Sequence, residues 1–207
     1  MKTHIIGKTM LFCTLLLTLM LSNPATVPAQ AQGTGPFAYI ANRASNTVSV
    51  IDTNSNSVVA TIAVGTNPWS TAINPTGTRV YVTNVNSNNV SVINASTNSV
   101  VTTIAVGTNP NGLTVNPAGT RVYVANYGSN TVSVIDTSTN GVVATISVGT
   151  NPESVAINPT GTRVYVTNYW TDNVSVIDTS TNSVVATLSV GTSPIGIAII
   201  RLARGSI

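Results

Sequence analysis

The chain has 207 residues and a formal charge of +3, and every Lys, His, Cys and Met residue lies within its first 31 positions. The other 176 residues contain six Arg and five acidic residues, so their net charge is only +1. This composition excludes disulfides, thiolate or imidazole catalysis and His or Cys metal sites from that part of the chain. Six scattered Arg do not form a nucleic-acid-binding stripe. We therefore expect no cofactor, no metal and no nucleic-acid partner.

Residues 1–31 have the features of a secretory signal peptide. Lys2 and Lys8 give a positive start, residues 10–21 form an apolar run, and Ala29 and Ala31 provide the small residues that signal peptidase needs. A spanning helix needs about 20 apolar residues, so this run predicts a cleaved leader rather than an anchor. We expect a mature chain of residues 32–207 that is secreted, periplasmic or on the cell surface, with no membrane span after leader cleavage.

The rest of the chain repeats a unit of 42 residues. A Tyr-Ile/Val-Ala/Thr-Asn tetrad and a Gly-Thr-Asn/Ser-Pro link recur in register. The tetrads begin at Tyr39, Tyr81, Tyr123 and Tyr165, and the links begin at Gly65, Gly107, Gly149 and Gly191. Four copies account for nearly all of residues 32–207, which we interpret as one repeat domain.

Each unit contains four short runs rich in Val, Ile and Thr, separated by Gly, Pro, Asn, Asp and Ser. In the second unit the runs cover residues 70–74, 80–84, 90–94 and 99–104, and we name the corresponding strands A, B, C and D. No run has helical periodicity. Four antiparallel strands in about 40 residues are typical of one blade of a β-propeller, so the sequence predicts an all-β propeller.

The tetrads, the Val-Ser-Val-Ile runs and the Gly-Thr-Asn-Pro links over residues 37 to about 199 resemble the YVTN-repeat β-propeller family. The resemblance implies a toroid of blades in an exported surface or periplasmic protein. Related propellers include lactonases, streptogramin lyases and subunits of redox enzymes. The resemblance therefore implies the fold and leaves the chemistry open.

The number of units leaves two arrangements open. The repeats begin with a B strand at residues 37–42 and end with an A-like strand at residues 195–200. That last strand could complete the first blade and latch a closed four-bladed ring. Alternatively, the units form an open arc, and two arcs in a homodimer make an eight-bladed ring. Residues 201–207 leave the pattern, as in a truncated copy of a longer gene or at a genuine terminus.

The units differ most in the B–C loop and the D–A link, which the antiparallel strand order places on the same side of a blade. These connections carry the candidate site residues Trp69, Tyr127, Tyr169, Trp170, Arg43, Glu153 and Asn111, accompanied by Asn86 and Asp172. Aromatic rings with amide and carboxylate groups would suit a protein or glycan partner at the cell surface. The alternative interpretation is drift at tolerant loop positions.

The remaining charges do not indicate catalysis. Asp52, Asp136 and Asp178 share a repeat position with Asn94, which indicates a role in a turn. Only Glu153 and Asp172 are acids outside the repeat pattern. With no base to activate Ser or Thr, we expect a non-catalytic binding or structural module. The alternatives are an enzyme of the lactonase or lyase kind, a redox-enzyme subunit, and a fragment of a longer propeller protein.

Overall fold

A computed structural model describes residues 36–200, which form four antiparallel sheets in chain order. The expected signal peptide and the off-pattern tail 201–207 lie outside the described residues. The strands are β1 (Phe37–Asn42), β2 (Thr47–Asp52), β3 (Ser57–Ala63), β4 (Pro68–Ile73), β5 (Arg79–Asn84), β6 (Asn89–Asn94), β7 (Ser99–Ala105), β8 (Pro110–Val115), β9 (Arg121–Asn126), β10 (Thr131–Asp136), β11 (Gly141–Ser147), β12 (Pro152–Ile157), β13 (Arg163–Asn168), β14 (Asn173–Asp178) and β15 (Ser183–Ser189).

Each sheet is one blade, in which consecutive strands are neighbours. Blade 1 comprises β1–β3, blade 2 β4–β7, blade 3 β8–β11 and blade 4 β12–β15. The A strands of adjacent blades contact each other extensively, whereas the D strands touch little, so the A strands lie on the inner side of the curve. The all-β propeller architecture expected from the repeat is confirmed.

The turns between strands follow the residues that the repeat supplies. In the A–B turn of blade 2, the N–H of Gly77 donates to the carbonyl oxygen of Asn74 at 2.9 Å, and Gly77 has φ +69°, a conformation that favours glycine. In the C–D turn of blade 3, the N–H of Ser138 donates to Oδ1 of Asp136 at 2.8 Å. The turn role predicted for this aspartate position is thereby confirmed.

The hydrophobic core consists of three layers, one between each pair of adjacent blades. We call the face of a blade that packs on the following blade its trailing face, and the face that packs on the preceding blade its leading face. In every layer, the trailing face of one blade packs on the leading face of the next. Between blades 1 and 2, the trailing residues Tyr39, Val48, Val50 and Ile62 meet the leading residues Val80, Val82 and Ile93. The B and C strands are buried on both faces because each inner blade is covered from two sides. Burial on both faces explains why the sequences of these strands are nearly continuous apolar runs.

The described blades form an open arc, so the closed four-bladed arrangement is not the one observed. Among the described residues blade 1 has three strands, and residues 195–200, expected as its latch, form no strand and do not pair with β1. Ile40 on the outward side of blade 1 and Leu188 on the outward side of blade 4 are correspondingly exposed. The physical reason is that the start of this segment is held beside blade 4, where Thr167 Oγ1 donates to the carbonyl oxygen of Ile195 at 3.0 Å.

Helical structure is minimal within residues 36–200. It is limited to a single 3₁₀ turn at Val85–Ser87. No helix in this part of the chain has the length and apolar character needed to cross a membrane.

Candidate functional site

The variable loops lie on one side of the blades, where the B–C loop of each of blades 2–4 contacts the D–A link leading into that blade. The N–H of Tyr127 donates to the carbonyl oxygen of Asn109 at 2.9 Å, and that of Tyr169 donates to Asn151 at 3.0 Å. Blade 2 has the corresponding bond. We call this side the loop face. It carries the predicted site residues Arg43, Trp69, Asn111, Tyr127, Glu153, Tyr169 and Trp170.

A second set of bonds ties the B–C loop of each blade to the link into the following blade. A side-chain oxygen in the loop accepts from a backbone N–H in the link. The donor–acceptor pairs are Asn67 to Asn46, Asn109 to Asn88, Asn151 to Asn130 and Ser193 to Asp172, at 2.8–2.9 Å. The backbone of the loop face is therefore rigidly held across blade boundaries.

These bonds correct the interpretation of Asp172 as an acid outside the repeat pattern. Asp172 stands where the other blades have asparagine, has φ 51°, and accepts the same backbone hydrogen bond. Asn and Asp tolerate this left-handed conformation better than other residues with a side chain. Asp172 is therefore a structural residue, and it does not share a hydrogen-bond partner with Glu153.

Trp69 and Arg43 form the first contact on the loop face. The guanidinium carbon of Arg43 lies 5.0 Å from the centre of the Trp69 ring, within cation–π range. Nε of Arg43 also donates to Oδ1 of Asn67 at 2.6 Å, which fixes the guanidinium beside the link. Trp69 is 45% exposed, so its ring is held in place and still open to solvent.

Asn111 and Glu153 form the second contact, between the second residues of two neighbouring A strands. Nδ2 of Asn111 donates to Oε2 of Glu153 at 3.0 Å. Burial raises the pKa of the Glu153 carboxyl above its usual value, and the hydrogen bond from Asn111 opposes this shift. The close approach of the two strands depends on Gly112, where a Cβ would lie 2.7 Å from the carbonyl oxygen of Glu153.

Tyr169 and Trp170 form the third contact. Their ring centres are 5.6 Å apart with an interplanar angle of 82°, an edge-to-face arrangement. Trp170 is 67% exposed and Tyr169 is half-buried, so the tyrosine supports an exposed tryptophan. Tyr127, at the same position of blade 3, is also half-buried.

Six of the seven predicted site residues therefore form three pairs on a common face, and Tyr127 lies on that face outside these pairs. Within residues 36–200, no three His, Cys, Asp or Glu side chains come together as a metal site would require. Glu153 is the one loop-face carboxylate that is not used to hold a turn or link. What the arrangement can do chemically is to offer flat aromatic surface, one guanidinium and one amide–carboxyl pair to a ligand.

Sequence reasoning missed two structural pairings. The first involves Arg121 and Arg163, each of which forms an ion pair with the aspartate directly opposite on the C strand: Arg121–Asp136 at 2.6 Å and Arg163–Asp178 at 2.7 Å. The recurrence of both residues at a fixed separation could have revealed the pairing.

The second missed pairing involves the Asn of the tetrad and the first Gly of the link. Asn84 is fully buried and donates through Nδ2 to Asn89 Oδ1 at 2.8 Å and Ser91 Oγ at 2.9 Å. Its side chain fits under Gly65, which has no Cβ to obstruct it. Blades 3 and 4 repeat this arrangement.

Two family models match different parts of the chain. One, described as a YNCE-like beta-propeller, matches residues 117–204, and the other, described as Lactonase, 7-bladed beta-propeller, matches residues 24–103. Each covers less than half of the sequence. Both models describe propellers, and neither carries the YVTN-repeat name that the motifs suggested.

Solved structures give the same architecture. Among 1218 matching chains, one from Kuenenia stuttgartiensis hydrazine synthase has a TM-score of 0.72 and 29% sequence identity, over 75% of this chain and 46% of that chain. This chain thus spans less than half the length of that relative. No curated protein matches the sequence. From its repeat, its stacked antiparallel sheets and these matches, we conclude that the chain is a β-propeller protein.

Proposed function

We propose that this chain is an exported, non-catalytic binding module of the cell surface or periplasm, and that its loop face engages a protein or glycan partner. The observation that carries the proposal is the exposure of two tryptophans, Trp69 and Trp170, on one rigid face. Exposed aromatic rings on fixed loops are favoured anchors for recognition. Little conformational freedom is lost on binding when the loop backbone is already held by hydrogen bonds.

The contacts at each tryptophan support this role. Trp69 is flanked by a guanidinium that can donate to an acceptor on the ligand, and Trp170 is supported by the edge of Tyr169. Arg and aromatic side chains together suit a surface with hydroxyl or carboxylate groups beside flat apolar patches. Both glycans and protein surfaces have this character.

Binding of the purified protein to insoluble cell-wall glycan and to immobilised surface protein would test the proposal. Trp170→Ala and Trp69→Ala should each weaken binding about tenfold or more, as expected for an anchor worth over 1.4 kcal/mol. Val143→Ala is the control, since Val143 is also exposed but lies on the outer strand β11. Equal loss in the control, or no binding to either material, would contradict the proposal.

Two observations favour a second candidate, a hydrolase acting on lactones. The lactonase model matches residues 24–103, and the half-buried Glu153 has a raised pKa, as a general acid or base requires. Glu153 lies outside the matched region. Turnover of a lactone panel that disappears in Glu153→Gln would support this candidate, and absence of turnover by the parent protein would reject it.

A further inference from the structure

The two end faces of the arc expose side chains that are buried at every internal boundary. On blade 1, Ile40 is 45% exposed, whereas its repeat equivalents Val82, Val124 and Val166 are all 0% exposed. On blade 4, Leu188 is 48% exposed, whereas its equivalents Ile62, Ile104 and Ile146 are each 5% exposed. Within residues 36–200, no neighbouring blade therefore packs on the leading face of blade 1 or on the trailing face of blade 4.

These two faces are complementary to each other because they are the two halves of the same interface. Tyr165, Val174 and Val176 lie on the trailing face of blade 4. The residues at the same repeat positions of blades 2 and 3 pack on the following blade. Ile40 and Ile51 lie on the leading face of blade 1. The residues at the same repeat positions of blade 2 pack on the preceding blade. A second copy of the chain therefore provides a cover of the right shape for either end.

The backbone at the two ends is complementary in the same way. In the part of the chain that the structure describes, blade 1 has no A strand, and β1 pairs on one edge only, with β2. Residues 194–200 follow blade 4 at the repeat position of an A strand but pair with no strand. The start of this segment has the same contact as an A strand of an inner blade. Thr167 Oγ1 donates to the carbonyl oxygen of Ile195, just as Thr83 Oγ1 donates to the carbonyl oxygen of Asn111 at the start of β8.

We propose that two copies of this chain assemble head to tail into an eight-bladed ring, in which residues 194–200 of each copy become the missing A strand of blade 1 in the other. Addition of a strand to an open edge satisfies its unpaired backbone groups, and a two-fold ring leaves neither edge exposed. The proposal does not depend on what the loop face binds.

The repeat fixes the register of this pairing. In blade 2, Thr71 lies opposite Val82, Ala72 opposite Tyr81 and Ile73 opposite Val80. Transferred by repeat position, Ile197 of one copy lies opposite Ile40 of the other, Ala198 opposite Tyr39 and Ile199 opposite Ala38. The pairing brings the exposed Ile40 under the trailing face of the donating copy.

The mass of the purified protein in solution is the first test. Mass spectrometry identifies the amino-terminal residue, so that the mass of a single chain is known. We expect twice the chain mass for the parent protein and the single-chain mass for Ile40→Asp and Leu188→Asp. Val143→Asp is the control, because it places the same charge on an equally exposed strand position away from both end faces, and it should remain a dimer. A monomeric parent protein, or a larger or open-ended assembly, would overturn the proposal.

Gly191→Ala provides a variant whose own fold is not at risk. No atom lies within 4 Å of a Cβ on Gly191, whereas a Cβ on its equivalent Gly65 would lie 2.7 Å from Cγ of Asn84. In the ring, the corresponding residue opposite Gly191 is Asn42 of the second copy. We expect Gly191→Ala to keep the circular dichroism spectrum of the parent and to weaken the dimer at least tenfold; an unchanged dimer dissociation constant would contradict the ring.

Cysteine cross-linking distinguishes pairing between copies from closure within one chain. The sequence has a single cysteine, Cys13, which Cys13→Ser removes. Mixing Ile40→Cys protein with Ile197→Cys protein under mild oxidation should give a covalent dimer on a non-reducing gel, and Ile40→Cys mixed with Val143→Cys should not. If the Ile40→Cys/Ile197→Cys double variant forms its disulfide within a single chain, the latch is internal and the proposal fails.

Discussion

A methyl group placed on Gly65 would lie 2.7 Å from Cγ of Asn84, closer than a Cβ normally approaches another atom. The glycine that opens the link and the asparagine that ends the tetrad are therefore one packing unit, although 19 positions separate them in the sequence. The asparagine is buried and its amide is committed to hydrogen bonds with the C strand. The two motifs recur together for a steric reason.

This contact predicts a strong coupling between the two positions. Gly65→Ala should lower the free energy of unfolding by about 1–3 kcal/mol through overpacking. Asn84→Ala should also destabilise, because it removes two buried hydrogen bonds. The double variant should lose less than the sum of the two, since the space vacated by Asn84 accommodates the new methyl group.

Chemical denaturation of the four proteins measures this coupling. Gly141→Ala is the matched control, because the nearest atom to its Cβ would be Thr139 Oγ1 at an ordinary 3.4 Å, and it should leave stability nearly unchanged. Strictly additive losses would contradict the proposed contact.

The ion-paired aspartates predict how stability responds to acid. Hydrogen bonds from Ser138, with a smaller contribution from Arg121, lower the pKa of Asp136, and Ser180 and Arg163 act in the same way on Asp178. The stability contributed by these groups is present above the ordinary aspartate pKa and is lost as the pH falls through the lowered pKa of the folded state.

The double variant Asp136→Asn/Asp178→Asn should therefore show a shallower loss of stability between neutral and strongly acidic pH. Blade 2 demonstrates that asparagine suits the turn, because Asn94 Oδ1 accepts from Ser96 N–H at 2.9 Å. Thermal unfolding across this pH range is the measurement. An acid profile identical to that of the parent protein would show that the two aspartates do not carry the response.

Glu153 predicts the opposite pH dependence. Because its pKa is raised by burial, the stability linked to its proton is present below the ordinary glutamate pKa and is lost as the pH rises through the raised pKa of the folded state. Glu153→Gln keeps an oxygen that can accept from Asn111 and removes the buried charge. We expect this variant to be more stable than the parent protein at neutral pH and equally stable at acidic pH.

Thermal unfolding at several pH values tests this expectation. Asp172→Asn removes one negative charge from the same face and restores the residue found in the other three blades, so it serves as the charge-matched control. An equal pH-dependent gain in the control would indicate a general charge effect and contradict the assignment to Glu153.

The contact between Arg43 and Trp69 predicts a change in tryptophan accessibility. The chain has two tryptophans, so Trp170→Phe leaves Trp69 as a single reporter. In that background, Arg43→Ala should increase quenching of Trp69 fluorescence by acrylamide, because the guanidinium covers part of the ring. Arg79→Ala, on the opposite side of the blade, should have no effect. Unchanged quenching in Arg43→Ala would show that the stacked arrangement is not maintained in solution.

The blades could be predicted closely from the sequence because their pattern is local. The strand at residues 37–42 has the predicted bounds, and the turn role of Asp136 follows from its neighbours along the chain. Register and turn type are set by residues a few positions apart, and four copies make the signal unambiguous.

The arrangement of the ends and the contacts of the loop face could not be predicted in the same way. Whether residues 195–200 reach β1 depends on the angle between blades, which is a property of the packed interfaces and not of any motif. Asp172 was misinterpreted because it is an aspartate where the other blades have asparagine. Its left-handed backbone conformation and the backbone N–H that it accepts from are nevertheless the same as theirs. The pairing of Asn111 with Glu153 joins residues in different blades, so only the stacking of the blades reveals it.

The sameness of the three internal layers has an evolutionary consequence. Each described blade packs only on its neighbours, and each boundary uses equivalent residues. The free energy of folding is therefore approximately a sum of one contribution from each module and one from each boundary. An in-frame duplication or loss of one module in the gene would create no new kind of boundary. Recombination between the gene segments that encode these similar modules can therefore change the number of modules while each blade keeps a neighbour of the same kind.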